Sequence, residues 1–503
     1  MEFGQLVLDG IRIVAQWDTL LIMLGGLVVG IVAGSLPGFT SGNACAVMLP
    51  ISIGMTTSNA IVFIGAVYAG AQYGGAVPAI LFKVPGTAQA AATSLDGYPL
   101  ARQGKADIAL GVSMVASSAG TMISAVLALF IIIPMAKIAL GFGPAEMFLL
   151  ALLGVSIISN VVGKDTKKGL LVGALGFLVA AMPADPFYGI PRFNFGVMEL
   201  YDEMPLIPTL IGLFAIPTFL KLSKSAYIVE VSRDEAKKVG SFSRMMQGVV
   251  MGIKRPFNIL IGSLIGSLVG ALPGTGAGIA TFLSYGQAVS MSKKPETFGK
   301  GNIDGIIAAE SSNNGVTGGA MIPSFALGIP GSGTTAVMLS VLTLQGIIPG
   351  PHVVRDHSTM IYGFLVTLFL AGLLILPVGM IYNSLFSKIT TIKSATLIPI
   401  LVVLCLLGAF GQRQFIFDMY LLLIFGLLGV ILETYKYPLI PFVFGIFLGP
   451  LAERSFVQAI SISQNDPSIF FQSTICKIMW IVILLVFLSP YAMKIVKRAK
   501  KDT

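Results

Sequence analysis

The sequence predicts an all-α polytopic membrane protein built from two inverted-topology repeats, and three observations carry that prediction. Hydrophobic residues fill 55% of the 503 positions and charged residues only 11%, whereas soluble domains carry roughly 25% charged residues. Apolar runs recur from Leu20 to Ala492, leaving no space for a large soluble domain. The same Gly/Pro-broken blocks occur twice, in the same order. The mean hydropathy of +0.89 agrees, and the 58 glycines suit helices packed in lipid, where small residues let backbones approach.

The elements follow in order from the positive-inside rule. Met1–Thr19 is mixed and acidic and reads as an external N-terminus rather than a cleavable signal peptide. Leu20–Ala33 is short for a core of ~30 Å, which takes about 20 helical residues, and it stops at Gly34-Ser35-Leu36-Pro37-Gly38. Arg102 and Lys105 then fall inside, Lys137 outside, and Lys164, Lys167 and Lys168 inside. Leu170–Ala181 and Leu206–Leu220 flank an external loop holding Asp185, Glu199, Asp202 and Glu203 against Arg192. A long basic loop from Lys221 to Arg255, with Arg233, Lys237, Lys238 and Arg244, is cytoplasmic.

Ile259–Val269 is again short and stops at Gly270-Ala271-Leu272-Pro273-Gly274. Lys293, Lys294 and Lys300 lie inside, His352 outside, Lys388 and Lys393 inside, Arg413 outside and Lys436 inside. A last span near Ile475–Leu488 returns the C-terminus, with Lys494, Lys497 and Arg498, to the cytoplasm. The expectation is N-out, C-in, with about eleven or twelve transmembrane helices plus re-entrant or broken helical hairpins. Residues 1–225 form the first repeat, 226–255 a cytoplasmic basic linker, and 256–503 the second repeat plus a C-terminal helix.

Several function classes are excluded by the same residues. The net charge of +9 sits in short clusters between apolar runs, so it encodes topology rather than nucleic-acid binding. Cys45, Cys405 and Cys476 lack CxxC spacing and read as inert buried thiols. His352 and His357 form no HExxH, so no zinc site is expected, and Ser290-Met291-Ser292-Lys293 lies alone in a basic loop. No GxxxxGK[ST] block is present, so an ion gradient or a partner must drive whatever the chain does. The expectation is a non-enzyme without cofactor, with Na⁺ or H⁺ as coupling ion.

The repeat is the most informative feature. Beside the two Leu-Pro-Gly blocks, Gly74-Gly75-Ala76-Val77-Pro78 recurs as Gly318-Gly319-Ala320-Met321-Ile322-Pro323, and Val84-Pro85-Gly86-Thr87 as Ile329-Pro330-Gly331-Ser332. Paired broken segments in two inverted halves point to a secondary transporter with its site at the repeat interface. Helix N-termini that start at a break offer N–H groups and a positive dipole end to an anion, while facing carbonyls can hold Na⁺. The candidate substrate-binding residues are therefore Gly38, Thr40, Ser41, Asn43, Lys83, Pro85, Gly86, Thr87, Thr275, Gly276, Asn313, Asn314, Gly331 and Ser332. Candidate ion-coupling residues are Glu310, Ser311, Ser312, Thr334 and Thr335. Asp96, in Leu95-Asp96-Gly97-Tyr98-Pro99, reads as part of a turn. An anion channel or a carrier of some other solute is the competing reading.

The stretches Gly65-Ala66-Val67-Tyr68-Ala69-Gly70-Ala71-Gln72-Tyr73-Gly74-Gly75, Val84-Pro85-Gly86-Thr87 and Asp96-Gly97-Tyr98-Pro99 resemble the large membrane subunit of the tripartite tricarboxylate transporters. The second-half stretch from Ala308-Ala309-Glu310-Ser311 through Ile329-Pro330-Gly331 to Pro349-Gly350-Pro351 is similar to the same family. Ala76-Val77-Pro78 departs from it, where a more polar, Ser-containing stretch is expected. The resemblance implies a carrier of citrate and other di- and tricarboxylates in a bacterial inner membrane, driven by Na⁺ or H⁺. It also implies a small membrane subunit with about four spans and a periplasmic solute-binding protein, and a dimeric assembly is compatible with it.

Overall fold

Apolar segments that lie in lipid satisfy their backbone only by coiling or by closing a barrel, and every regular element among the described residues is helical. The computed structural model describes residues 3–36, 39–83, 87–161, 166–183, 190, 192–201, 204–224, 240–272, 276–389 and 394–485. The first half comprises α1 (Phe3–Val14), α2 (Trp17–Gly34), α3 (Ser41–Ile53), α4 (Thr57–Gly74), α5 (Ala76–Phe82), α6 (Ala91–Leu100), α7 (Ala106–Ala139), α8 (Pro144–Val161), α9 (Thr166–Ala180) and α10 (Leu206–Leu222). The second comprises α11 (Phe242–Ile253), α12 (Pro256–Gly270), α13 (Gly276–Met291), α14 (Ile303–Leu327), α15 (Gly333–Leu344), α16 (Pro351–Asp356), α17 (Ser358–Ile389), α18 (Ser394–Arg413), α19 (Ile416–Thr434), α20 (Leu439–Ile462) and α21 (Ile469–Gln472). A last apolar helix, α22, covers Thr474–Leu485.

Among the described residues, six helices are long and apolar enough to cross a membrane, or seven if the bent pair α11–α12 counts as one span. Shorter apolar helices, α3, α10 and α15 among them, make up the rest. At 1.5 Å per residue they reach only part of a ~30 Å core, as the sequence breaks imply. α11 meets α12 at 79°. Its Met245 and Val249 are buried while Met246 and Val250 are exposed on the other face, the pattern of a helix lying along an apolar boundary.

Glycine sets how closely the core helices pack. A Cβ on Gly30 would stand 2.3 Å from the Val67 carbonyl oxygen, and one on Gly34 2.2 Å from that of Ala71. In the second half, a Cβ on Gly266 would stand 2.3 Å from the Ser312 oxygen, and one on Gly319 2.3 Å from that of Ser267. α2 and α4, and likewise α12 and α14, thus meet backbone to backbone. Other packing pairs match across the halves as well. α1 lies on α17 as α11 lies on α7, and α10 pairs with α19 as α20 pairs with α9.

Asp96 corrects the sequence expectation of a turn. It lies inside α6, fully buried. Its carboxylate accepts from the N–H groups of Gly301 and Asn302 at 2.9 and 2.7 Å and from Tyr285 Oη at 2.8 Å. Pro99 sits near the end of α6, where its missing N–H and ring did not end the helix. Asp96 therefore fastens a first-half helix to the α13–α14 connection. Lys164, Asp185, Asp202, Glu203, Arg233, Lys237, Lys238, Lys393 and the basic residues after Leu485 lie outside the described residues.

Candidate functional site

Two helices that follow a break, α3 and α15, begin with a small hydroxyl residue, which supplies the acceptor a helix start lacks. Thr40 caps α3, its Oγ1 accepting from Asn43 N at 3.2 Å. Ser332 caps α15 in a reciprocal arrangement. Its Oγ accepts from Thr335 N at 3.2 Å, and Thr335 Oγ1 accepts from Ser332 N at 2.8 Å. The two capped ends meet: Ser41 Oγ and Thr334 Oγ1 lie 3.0 Å apart. A Cβ on Gly42 would make ordinary van der Waals contact with Thr334 N at 3.5 Å, so the approach does not depend on glycine there.

A cavity of about 320 Å³ opens against this junction. Thr40 to Asn43 line it from α3 and Ser332 to Thr334 from α15. Tyr68 and Gln72, one turn apart on α4, add polar groups, as does Gln89; Phe214, Val316 and Ile440 supply apolar wall. Among the described residues no lysine or arginine lines it. Its one charged lining residue among those described, Glu433, pairs with Lys221 at 2.6 Å. Each helix N-terminus carries roughly +0.5 elementary charge, so the two together present about one positive charge with free N–H groups. That combination suits a carboxylate or another small anion, and the volume falls in the range of small-molecule sites, about 300–1,000 Å³.

Among the candidate residues, Thr40, Ser41, Asn43, Ser332 and Thr334 meet at this cavity. Asn43 spends its amide hydrogens on α10, donating to Phe214 O at 3.0 Å and to Thr218 Oγ1, which pins α3 to α10. Thr335 is occupied by the cap. Gly331 lies tight against Ala320 and donates its N–H to Ser324 Oγ at 3.2 Å. Thr87 is buried beside Gly75, its hydroxyl without a partner. Gly276 opens α13, whose Ala277 touches the cavity. Lys83 stands apart. It closes α5 in the left-handed region at φ 58°, its side chain exposed and its ammonium 5.9 Å from the centre of the Tyr98 ring. Gly38, Pro85, Gly86 and Thr275 lie outside the described residues.

The polar run of α14 sits behind the cavity rather than in it. Asn313 Nδ2 donates to Gln72 O at 3.0 Å, Gln72 Nε2 donates to Asn313 O at 3.3 Å, and Asn314 Nδ2 donates to Thr121 Oγ1 at 2.9 Å. Ser311 and Ser312 return their hydroxyls to the carbonyls of Ile307 and Ala308, each at 2.7 Å. Glu310 is buried between α6 and α7. Sequence reasoning missed Tyr68, Gln72 and Gln89. The available signal was their polarity within long small-residue and apolar stretches, with Tyr68 and Gln72 at i, i+4 on one helix face.

A model of the tripartite tricarboxylate transporter TctA family matches residues 20–444. A protein of Agrobacterium vitis, "Uncharacterized 52.8 kDa protein in TAR-I ttuC' 3'region", is 30% identical over 450 residues, 88% of each chain. A second from the same organism, "Uncharacterized protein in TAR-II ttuC' 3'region", is 33% identical over 195 residues, 39% of this chain and 81% of that one. No solved structure matches significantly.

Proposed function

The chain belongs to the tripartite tricarboxylate transporter TctA family, a family of transporter subunits rather than enzymes, and we propose that it carries small organic carboxylates inward across a bacterial inner membrane. The observation that carries this reading is the meeting of two helix N-termini at one polar-lipped cavity. A di- or tricarboxylate such as citrate places one carboxylate against the free N–H groups and hydroxyls of Ser41, Gly333 and Thr334. Tyr68, Gln72 and Gln89 are placed to take up the remaining polar groups of the substrate. Uptake is coupled to Na⁺ or H⁺. A periplasmic solute-binding protein delivers the substrate and a small membrane subunit completes the complex.

The chain runs N-out and C-in, with residues 1–225 and 256–503 as inverted repeats. The matched packing pairs of the two halves support the repeat, and the basic clusters of the sequence support the orientation. Movement is elevator-like, the hairpin-bearing core sliding against α8, α9, α10, α18, α19 and α20.

The test is uptake of labelled citrate and a panel of carboxylates into proteoliposomes holding the chain with its small subunit. Binding protein and an ion gradient are each supplied or withheld. Concentrative uptake that needs both is the expected result. Equilibration without a gradient would favour a channel.

A further inference from the structure

α14 carries one carboxyl group into a stretch in which Gly305 to Ala326 are all buried. Glu310 is wholly buried. Its Oε1 accepts from the Thr93 hydroxyl of α6, and its Oε2 accepts from Ser117 Oγ of α7 at 2.7 Å. Ser113, one turn earlier on α7, stands beside the same carboxyl group, and its buried Oγ has no hydrogen-bond partner. No lysine, arginine or histidine among the described residues pairs with Glu310.

The titratable groups on the surrounding helices leave Glu310 without a counter-charge. α4 contributes Tyr73, whose hydroxyl accepts from Asn383 Nδ2 at 2.9 Å. α6 contributes Asp96, already held by Gly301, Asn302 and the Tyr285 hydroxyl of α13. α7 has only Asp107 near its start, where it accepts from Gly240 N at 2.9 Å, and Lys137 near its far end. α12 has no titratable side chain, and the other acid of α14, Asp304, pairs with Arg255 at 2.7 Å.

An ionised carboxylate without a counter-charge is costly to bury, and ionisable groups kept inside a membrane bundle mark proton or ion pathways. Three hydroxyls serve both protonation states. In the neutral acid, one oxygen carries an O–H that donates to Ser113 Oγ, which satisfies the orphan. When the proton leaves, the two carboxylate oxygens accept from Thr93, Ser117 and a rotated Ser113 hydroxyl. A bound Na⁺ would instead claim lone pairs that here accept hydroxyl hydrogens. The site is linked to the cavity: Asn313, one turn beyond Glu310, exchanges hydrogen bonds with the cavity-lining Gln72.

We propose that Glu310 is a proton-carrying site, loaded and emptied once per transport cycle, so that H⁺ is the coupling ion. The inference rests on the carrier reading given above.

Two measurements test it. Infrared difference spectra of the purified complex across a pH titration should contain the C=O band of a protonated carboxyl that Glu310→Gln removes. Its absence at every pH would overturn the proposal. In proteoliposomes, Glu310→Gln should reduce pH-gradient-driven accumulation of labelled citrate at least about tenfold, with citrate–citrate exchange falling less than about threefold. Accumulation equal to wild type, or wild-type accumulation driven by Na⁺ alone and indifferent to the pH gradient, would overturn it. Should the Gln variant not fold, Ser113→Ala decides. It removes a hydroxyl donor to the ionised carboxylate and should shift the pH midpoint of accumulation to higher pH with exchange intact, and an unmoved midpoint counts against the site. Failed exchange by the wild type alongside a titrating infrared band would sink the carrier reading and leave the protonatable carboxyl standing.

Discussion

α3 and α13 follow the two Leu-Pro-Gly breaks, yet their surroundings differ. α3 is enclosed by α4, α10, α15 and α18, and only its far end reaches the surface, at Ile51. Among the described residues α13 packs on α12, α14 and α6, with no comparable packing on α8 or α20, the helices that correspond to α18 and α10. Phe282 and Leu283 are 50% and 54% exposed as a result. A Pro-Gly break precedes a helix in either half, and in the proposed reading the helices around it decide whether the start of that helix becomes a site. In the proposed cycle this asymmetry marks one end of the movement, with α3 docked and α13 released.

The largest effect should come from glycines that set the core. Gly34→Leu drives a side chain into the Ala71 carbonyl and should cost about 3 kcal/mol, seen as lost monodisperse protein in detergent. Gly278→Leu, on α13 with nothing within 4 Å of its Cβ, should leave the yield intact. Equal loss from both would erase the distinction between the two regions. Next in size is the paired change Ser41→Ala and Thr334→Ala, which should weaken equilibrium citrate binding about tenfold, or about 1.4 kcal/mol. Thr281→Ala on α13, whose hydroxyl bonds only Gly278 O at 2.9 Å, should leave affinity unchanged. Asn43→Ala, which frees α3 from α10, should lower the thermal unfolding midpoint by about 2 °C, and an unshifted midpoint would show that the docking is not held there.

Much of this was legible in the residues. Composition and the length of apolar runs dictate a helical membrane protein. Thr40 and Ser332 announce helix starts because a hydroxyl after a Pro-Gly break has a cap to make. The polar run of α14 shows where that reasoning stops. Asn313 and Asn314 have the right chemistry for a substrate site, but in a helix their direction is set by packing against α4 and α7. Ser311 and Ser312 spend their hydroxyls on their own helix, an option open to any helical serine. Gln72 and Gln89 became cavity groups only through the crossing of helices distant in sequence. Lys83 promised a counter-charge, yet its left-handed backbone at the end of α5 aims it outward.

The most direct test of the site is a structure of the complex determined by electron cryomicroscopy with saturating citrate. Carboxylate density against the first turns of α3 and α15, touching Ser41 and Thr334, is the predicted result. Density beside Lys83 or along α13, with the α3–α15 cavity left without substrate, would contradict it.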